Sequence, residues 1–381
     1  MRKYLPHGVI LLIIILCSLL SYHFQNHAVM AQSLESKHDA LYQGTVTKVR
    51  TEKDETTKMT KLFLEVYSES FPYLNKTISI EQSLSENTAQ ALLPLQKGDS
   101  VLLNQTTNDE GVQYTLNGPT RSMRVFVVIG IFSILLLVIA RKQGLKTLMS
   151  FASTVFVVGT VFIPGILAQQ NMYLLVLVVA LCITLLSFIT LSGFSKKTMA
   201  SIIGTLGGVL VAIVSAMLIV FFLKIRGAAS EEYSYIAMMN REQPFNVNQI
   251  LFGAVIIGGL GAMMDISMSI ASSMCEMIEI EASLPRRDLV KAGMNVGIDA
   301  ISTMVTTLVL AYTGGALPSI ILLNLYQRSG TYILNSLWFS VEVLQALVGS
   351  IGMMAAVPLT VYFMSWIQKH LQRKTNTKTC S

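Results

Sequence analysis

Apolar and polar positions divide the chain into three regimes. A short apolar run covers residues 9 to 20 behind Arg2 and Lys3. A mainly polar stretch then alternates with period two, the mark of half-buried strands, over residues 41 to 50, 60 to 69, 76 to 81, 99 to 105 and 112 to 116. Leu62, Leu64 and Val66 share one face of the second run. A helical pattern at residues 85 to 93 separates the third strand from the fourth, and Lys97-Gly98-Asp99 reads as a turn. Three strands, a helix and two strands are the order of an OB-type barrel.

From Arg121 onward the pattern changes to long apolar runs. Seven spanning segments are predicted at residues 125 to 140, 148 to 168, 172 to 192, 201 to 223, 250 to 272, 295 to 316 and 341 to 366, and the N-terminal run makes eight. The predicted fold class is an α-helical polytopic membrane protein with a small extracellular OB-like β-barrel. Its parts are an N-terminal signal anchor or signal peptide (residues 1–35), the β domain (36–120), a seven-helix transmembrane domain (121–370) and a basic cytoplasmic tail (371–381). Val29-Met30-Ala31 fits a cleavage signal, but its distance from the apolar run favours a retained anchor.

Composition agrees with a membrane class: 52% of the 381 residues are hydrophobic, 13% are charged, and mean hydropathy is +0.57. A net charge of +6 raises the question of nucleic acid, but the cations lie in short clusters between apolar runs. Crossing the membrane at each predicted segment puts Arg2, Lys3, Arg141, Lys142, Lys196, Lys197, Arg286 and Arg287 on one side with the C-terminal basic tail. The other side keeps Arg121, Arg124, Lys224, Arg226, Arg241 and Arg328. The positive-inside rule then makes both termini cytoplasmic and residues 36–120 extracellular, and no nucleic-acid partner is expected. The β domain also lacks interleaved aromatic and basic residues, so it reads as a docking or spacer module. Cys17, Cys182, Cys275 and Cys380 have no metal-ligand spacing, so neither a metal nor a disulfide framework is expected.

Polar residues inside the apolar runs carry the candidate chemistry. In "GGLGAMMDISMSIASSM", Gly258, Ala262, Asp265, Ser269 and Ser272 form one helical stripe, with Ile256, Leu260, Met263 and Ile270 on other faces. The expectation is that the acid faces the protein interior, away from lipid. The next segment carries Asn295, Asp299, Ser302 and Thr306, and the last carries Glu342 and Gln345. Asp265 and Asp299 both fall in the cytoplasmic half of the membrane and Glu342 near the outer surface, so the two aspartates are candidates to share a proton or hold a cation. An intramembrane acid costs about 2.5–3.5 kcal/mol even on insertion scales, which makes function its default reading. Ser and Thr stripes more often mean helix packing, and Gly204, Gly208, Gly258, Gly261 and Ala262 are read as packing positions.

With that stripe followed by "KAGMNVGIDAISTMVTTLVLAYTGGALP", the chain resembles the YibE/YibF family of multi-spanning bacterial membrane proteins over roughly residues 120 to 370, and its exported N-terminal domain is similar to the YibE type. The resemblance implies the plasma membrane of a bacterium, chiefly Gram-positive, and a YibF-like membrane partner or a second copy alongside the lipid bilayer. It carries over no catalytic residues. The residues themselves favour a transporter or permease subunit with Asp265, Asp299 and Glu342 along a proton or cation path, Asn295, Ser269, Ser302, Thr306 and Gln345 beside them, and no cofactor. Two alternatives are a scaffold or sensor and an intramembrane aspartyl protease. The protease needs a Gly-x-Gly-Asp signature, of which Gly297-Ile298-Asp299 keeps one glycine. No P-loop, dinucleotide turn or nucleophile elbow is present.

Overall fold

The computed structural model describes residues 5–27, 40–54, 59–68, 77–85, 95–108, 111–227, 231–239, 245–281, 283–326 and 329–373. The chain divides into two compact units: Gln32–Ile139, and Met1–Ala31 together with Ala140–Ser381.

The first unit is built on an antiparallel sheet of β1 (Ala40–Asp54), β2 (Met59–Ser68), β3 (Thr77–Ser85), β4 (Ser100–Asn108) and β5 (Gly111–Pro119), in the order β3-β2-β1-β4-β5. Alternation along β2 buries Leu62, Leu64 and Val66 against Val46, Ile80, Val101, Leu103 and Leu116, while Lys61 points out. Gly44 lets β1 approach β2 closely: an added Cβ would lie 2.5 Å from Val66 Cγ1 and 2.7 Å from the Tyr67 carbonyl oxygen. The turn before β4 uses Gly98 at φ 98°, and the Gly98 amide donates to the Val46 carbonyl at 2.8 Å. The Asp99 carboxylate accepts from the Gln96 amide at 2.8 Å, closing the same turn.

The expected barrel is not closed. No backbone ladder joins β3 to β5 among the described residues; instead the Leu116 amide donates to Gln82 Oε1 at 2.8 Å. A side-chain amide bridges where an OB barrel would need a strand pair. The helix expected at residues 85 to 93 lies almost entirely outside the described residues.

The second unit is helical. In order come α1 (Leu5–His27), α2 (Ser122–Val157), a π turn (Val158–Phe162), α3 (Ile163–Leu167), α4 (Met172–Ser192), α5 (Lys196–Phe222), α6 (Glu231–Met239), α7 (Val247–Ile280), α8 (Arg286–Leu325), α9 (Gly330–Leu334) and α10 (Leu337–Arg373), with the first part of α2 belonging to the sheet's unit. Among the described residues, six helices are long and apolar enough to cross a membrane, and Gly8–Phe24 is a shorter apolar helix. Of the two segments by which this falls short of eight, one is the N-terminal run, Gly8–Phe24, and the other arises at α2. There, two of those segments join into one helical run from Ser122 to Leu167, 46 residues long, interrupted at Arg141 (φ 47°, ψ −121°). The break falls at the start of the connector predicted between those two segments, residues 141 to 147.

Side-chain caps fix several helix starts. Asn171 accepts from the Tyr173 and Leu174 amides, Ser195 from the Thr198 amide, and Asn246 from the Gln249 amide. The core lies where α5, α7 and α10 meet, around Val209, Ala212, Met263, Ile266, Val348 and Met353. α8 joins it along one edge only, burying Leu289, Gly293, Gly297 and Ala316. Its first turn is tied to α10: Arg286 Nε donates to Ser365 Oγ at 2.8 Å, and Gln368 Nε2 donates to the Leu284 carbonyl at 2.9 Å. α1 is a member of this bundle, burying Ile13, Cys17 and Phe24 in the same apolar cluster as Val161 and Cys182.

Candidate functional site

Helix α7 is packed along the face that carries its large apolar residues. Ile256, Leu260, Met263, Ile266 and Ile270 are all 2% exposed or less, whereas Gly258, Asp265 and Ser269 are exposed and Ala262 and Ser272 half-buried. The stripe that carries Asp265 is thus not part of the helix-packing face. Methionine and isoleucine fill the contact with α5 and α10, which leaves the small polar stripe on the open side.

That open side is a cavity of about 730 Å³. Its walls come from the second half of α2, from α4, from α7 and, through Met304, from α8. Thr147, Ser150 and Thr154 of α2, Ser187 of α4 and Ser269 of α7 contribute hydroxyls, and Asp265 is the one ionisable residue in the lining. Asp265 makes no hydrogen bond or ion pair with protein among the described residues. A carboxylate with nothing to pair with in the protein needs water, a proton or a cation as its partner.

Asp299 lies outside this lining. The register of the two helices explains why. An added Cβ at Gly293 would meet Met274, and one at Gly297 would meet Ile270 and Val357, so α8 turns its 293/297 edge toward α7 and α10. Asp299 follows Gly297 by two residues, about 200° around the helix, and is exposed on the far side. Asn295, Ser302 and Thr306 are exposed as well. The Ser302 hydroxyl donates to the Ile298 carbonyl at 3.0 Å and that of Thr306 to the Ser302 carbonyl at 3.2 Å, so both are satisfied by their own helix.

Glu342 borders a second cavity, of about 330 Å³, between α8, α9 and the start of α10. Val309, Tyr312, Thr313, Trp338 and Phe339 surround it. Gln345 is half-buried and does not line it.

The small residues behave differently from one another. A Cβ at Gly204 would collide with Thr360 Oγ1, and one at Gly208 would lie 2.7 Å from the Gly352 carbonyl oxygen. A Cβ added at Gly258 would lie 2.7 Å from the Tyr312 hydroxyl oxygen, while Gly261 has open space around it and so is not a contact position. The backbones of α7 and α10 come close at Gly259, whose added Cβ would be 2.9 Å from Gly349 Cα. Sequence reading missed Gly259, Tyr312 and the α2 hydroxyls. The last were legible, since Thr147, Ser150 and Thr154 recur at helical spacing.

Among the described residues, no group of three or more His, Cys, Asp or Glu side chains is placed to hold a metal ion. No curated protein and no solved structure matches the chain. The model of the family described as YibE/F-like protein matches residues 128–370, which include α4 to α10 and both cavities, and the chain belongs to that family.

Proposed function

We propose that this protein is a transporter or permease subunit of a bacterial plasma membrane, in which Asp265 binds a proton or small cation entering the cavity between α2, α4 and α7. The observation that carries this reading is the isolation of Asp265. It is the one ionisable group lining a largely apolar cavity that five hydroxyls also border, on a helix long and apolar enough to span a membrane, and it has no protein partner among the described residues. Such a cavity has room for several waters at about 30 Å³ each. Splitting the Ser122–Leu167 run at Arg141 and counting α1 gives eight crossings, and the cation distribution puts both termini inside with the β unit outside. A protease reading draws no support from the site, because a dyad needs two carboxylates on one water and Asp299 lies off the Asp265 cavity.

The test uses purified protein in liposomes carrying an internal pH or cation dye, with a potassium diffusion potential imposed. Proton or sodium entry above that of empty liposomes, lost in Asp265→Asn and partly retained in Asp265→Glu, is expected. Equal flux through wild type and Asp265→Asn, or none for either, overturns the reading.

A further inference from the structure

The linings of the two cavities touch between α7 and α8. Tyr312 lines the Glu342 cavity, and Gly258 lines the Asp265 cavity. A Cβ built on Gly258 lies 2.7 Å from the Tyr312 hydroxyl oxygen but 3.8 Å from its Cζ. The tip of the tyrosine therefore rests where a methyl group would otherwise sit. Gly258 and Asp265 are seven residues apart, two turns or about 10 Å along one face of α7. Met304 of α8 also lines the Asp265 cavity, and Tyr312, eight residues further along α8, lines the Glu342 cavity with its hydroxyl beside Gly258.

We propose that Tyr312 is the partition between the Glu342 vestibule and the Asp265 cavity, and that position 258 is glycine because the tyrosine hydroxyl closes against it. This rests on the proposed transport reading, since a partition matters only if both cavities hold water. The tyrosine suits the place chemically. Its ring fills the gap with apolar surface, while its hydroxyl can donate to and accept from water, and its oxygen lone pairs can face a cation. Glu342, which lines the same cavity as Tyr312, is then the acidic group of the vestibule.

Geometry predicts reciprocal rescue. Gly258→Ala places a methyl 2.7 Å from the hydroxyl oxygen, which is too close, and pushes the ring off its seat. Tyr312→Phe removes that oxygen and leaves a gap of its width. Combined, the methyl and the phenylalanine ring meet at ordinary contact distance, 3.8 Å, and the wall closes again. The experiment uses the full-length protein with Cys17, Cys182, Cys275 and Cys380 replaced. Single cysteines are placed at Thr313 for the vestibule and Ser269 for the Asp265 cavity. A membrane-impermeant methanethiosulfonate is added to vesicles of each orientation. With Tyr312 and Gly258 native, each cysteine reacts from one face only, and the two faces are opposite. Gly258→Ala or Tyr312→Phe makes both react from both faces, and the double variant restores one-sided labelling. Tyr312→Ala, which leaves the glycine untouched, also abolishes sidedness. Cysteines that react from both faces in the native background, or sidedness that survives Tyr312→Ala, overturn the partition. A Ser269→Cys thiol that reacts from neither face shows a dry cavity and removes the transport reading instead.

Discussion

Replacing Gly204 by alanine sets the tightest helix contact against a glycine that touches nothing. A methyl at Gly204 collides with Thr360 Oγ1 and lies 3.0 Å from Thr360 Cβ and 3.2 Å from Ser267 Oγ. Thr360 is fully buried, and its hydroxyl donates to the Ala356 carbonyl at 2.8 Å. Turning that hydroxyl away loses a bond of about 1 kcal/mol. The approach to Thr360 Cβ that remains is overpacking, which costs about 1–3 kcal/mol. Alanine recovers about 1 kcal/mol through helix propensity, leaving a net loss of about 1–3 kcal/mol. Gly261→Ala meets nothing within 4 Å, so it keeps only the gain of up to about 1 kcal/mol. Both variants are unfolded as full-length protein in mild detergent by titration with sodium dodecyl sulfate, followed by circular dichroism. The expected ranking puts Gly204→Ala below wild type and Gly261→Ala at or above it, with Thr360→Ala recovering part of the Gly204→Ala loss. A Gly204→Ala protein as stable as Gly261→Ala refutes the close contact of α5 with α10.

Further outcomes follow from the same structure. The Cys17 and Cys182 thiols lie within hydrogen-bond reach, so mild oxidation should couple α1 to α4. After cleavage at a protease site inserted near residue 34, the N-terminal piece stays attached until reduced, and its absence from the mature protein would refute the packing of α1. Leu62→Ala empties a fully buried position of the sheet unit and should cost about 2–5 kcal/mol in a soluble fragment of residues 36–120. A fragment with no cooperative melt would show that the sheet does not fold alone. A cysteine replacing exposed Lys97 should react with an impermeant reagent on intact cells while Cys380 does not, and labelling of Cys380 would reverse the topology. Because Asp299 lies off the Asp265 cavity, Asp299→Asn should leave liposome flux unchanged, and a loss as complete as that of Asp265→Asn would restore a shared site.

What the sequence showed, and what it did not, separates by range. Strands announce themselves locally: Leu62, Leu64 and Val66 alternate with Lys61, Phe63 and Glu65, and a half-buried sheet needs no more than that. Closure of the barrel depends instead on β3 meeting β5, a long-range pairing for which Gln82 substitutes a single side-chain bond. Membrane helices are equally legible from length and hydropathy, and the break at Arg141 falls at the start of the expected turn.

Which way a helix turns its polar stripe is a harder question, because no single helix contains the answer. On α7 both faces can serve as packing surface: Gly258, Gly261 and Ala262 are small enough for close approach, and Met263, Ile266 and Ile270 are large enough to fill a core. The choice is made by the partners. Gly349 and Gly352 on α10 and Ala212 on α5 offer shallow surface into which Met263 and Gly259 fit, with Met263 Cε 2.5 Å from a Cβ built on Gly352. Once that face is taken, Asp265 can only look outward into the gap left by α2 and α4. The same rotation settles the second acid. Gly297 must face Ile270 and Val357, which turns Asp299 away, so two carboxylates at similar depth in the sequence end on different surfaces of the bundle. Depth is set by counting along one helix, but the company an acid keeps is set by glycines on its neighbours.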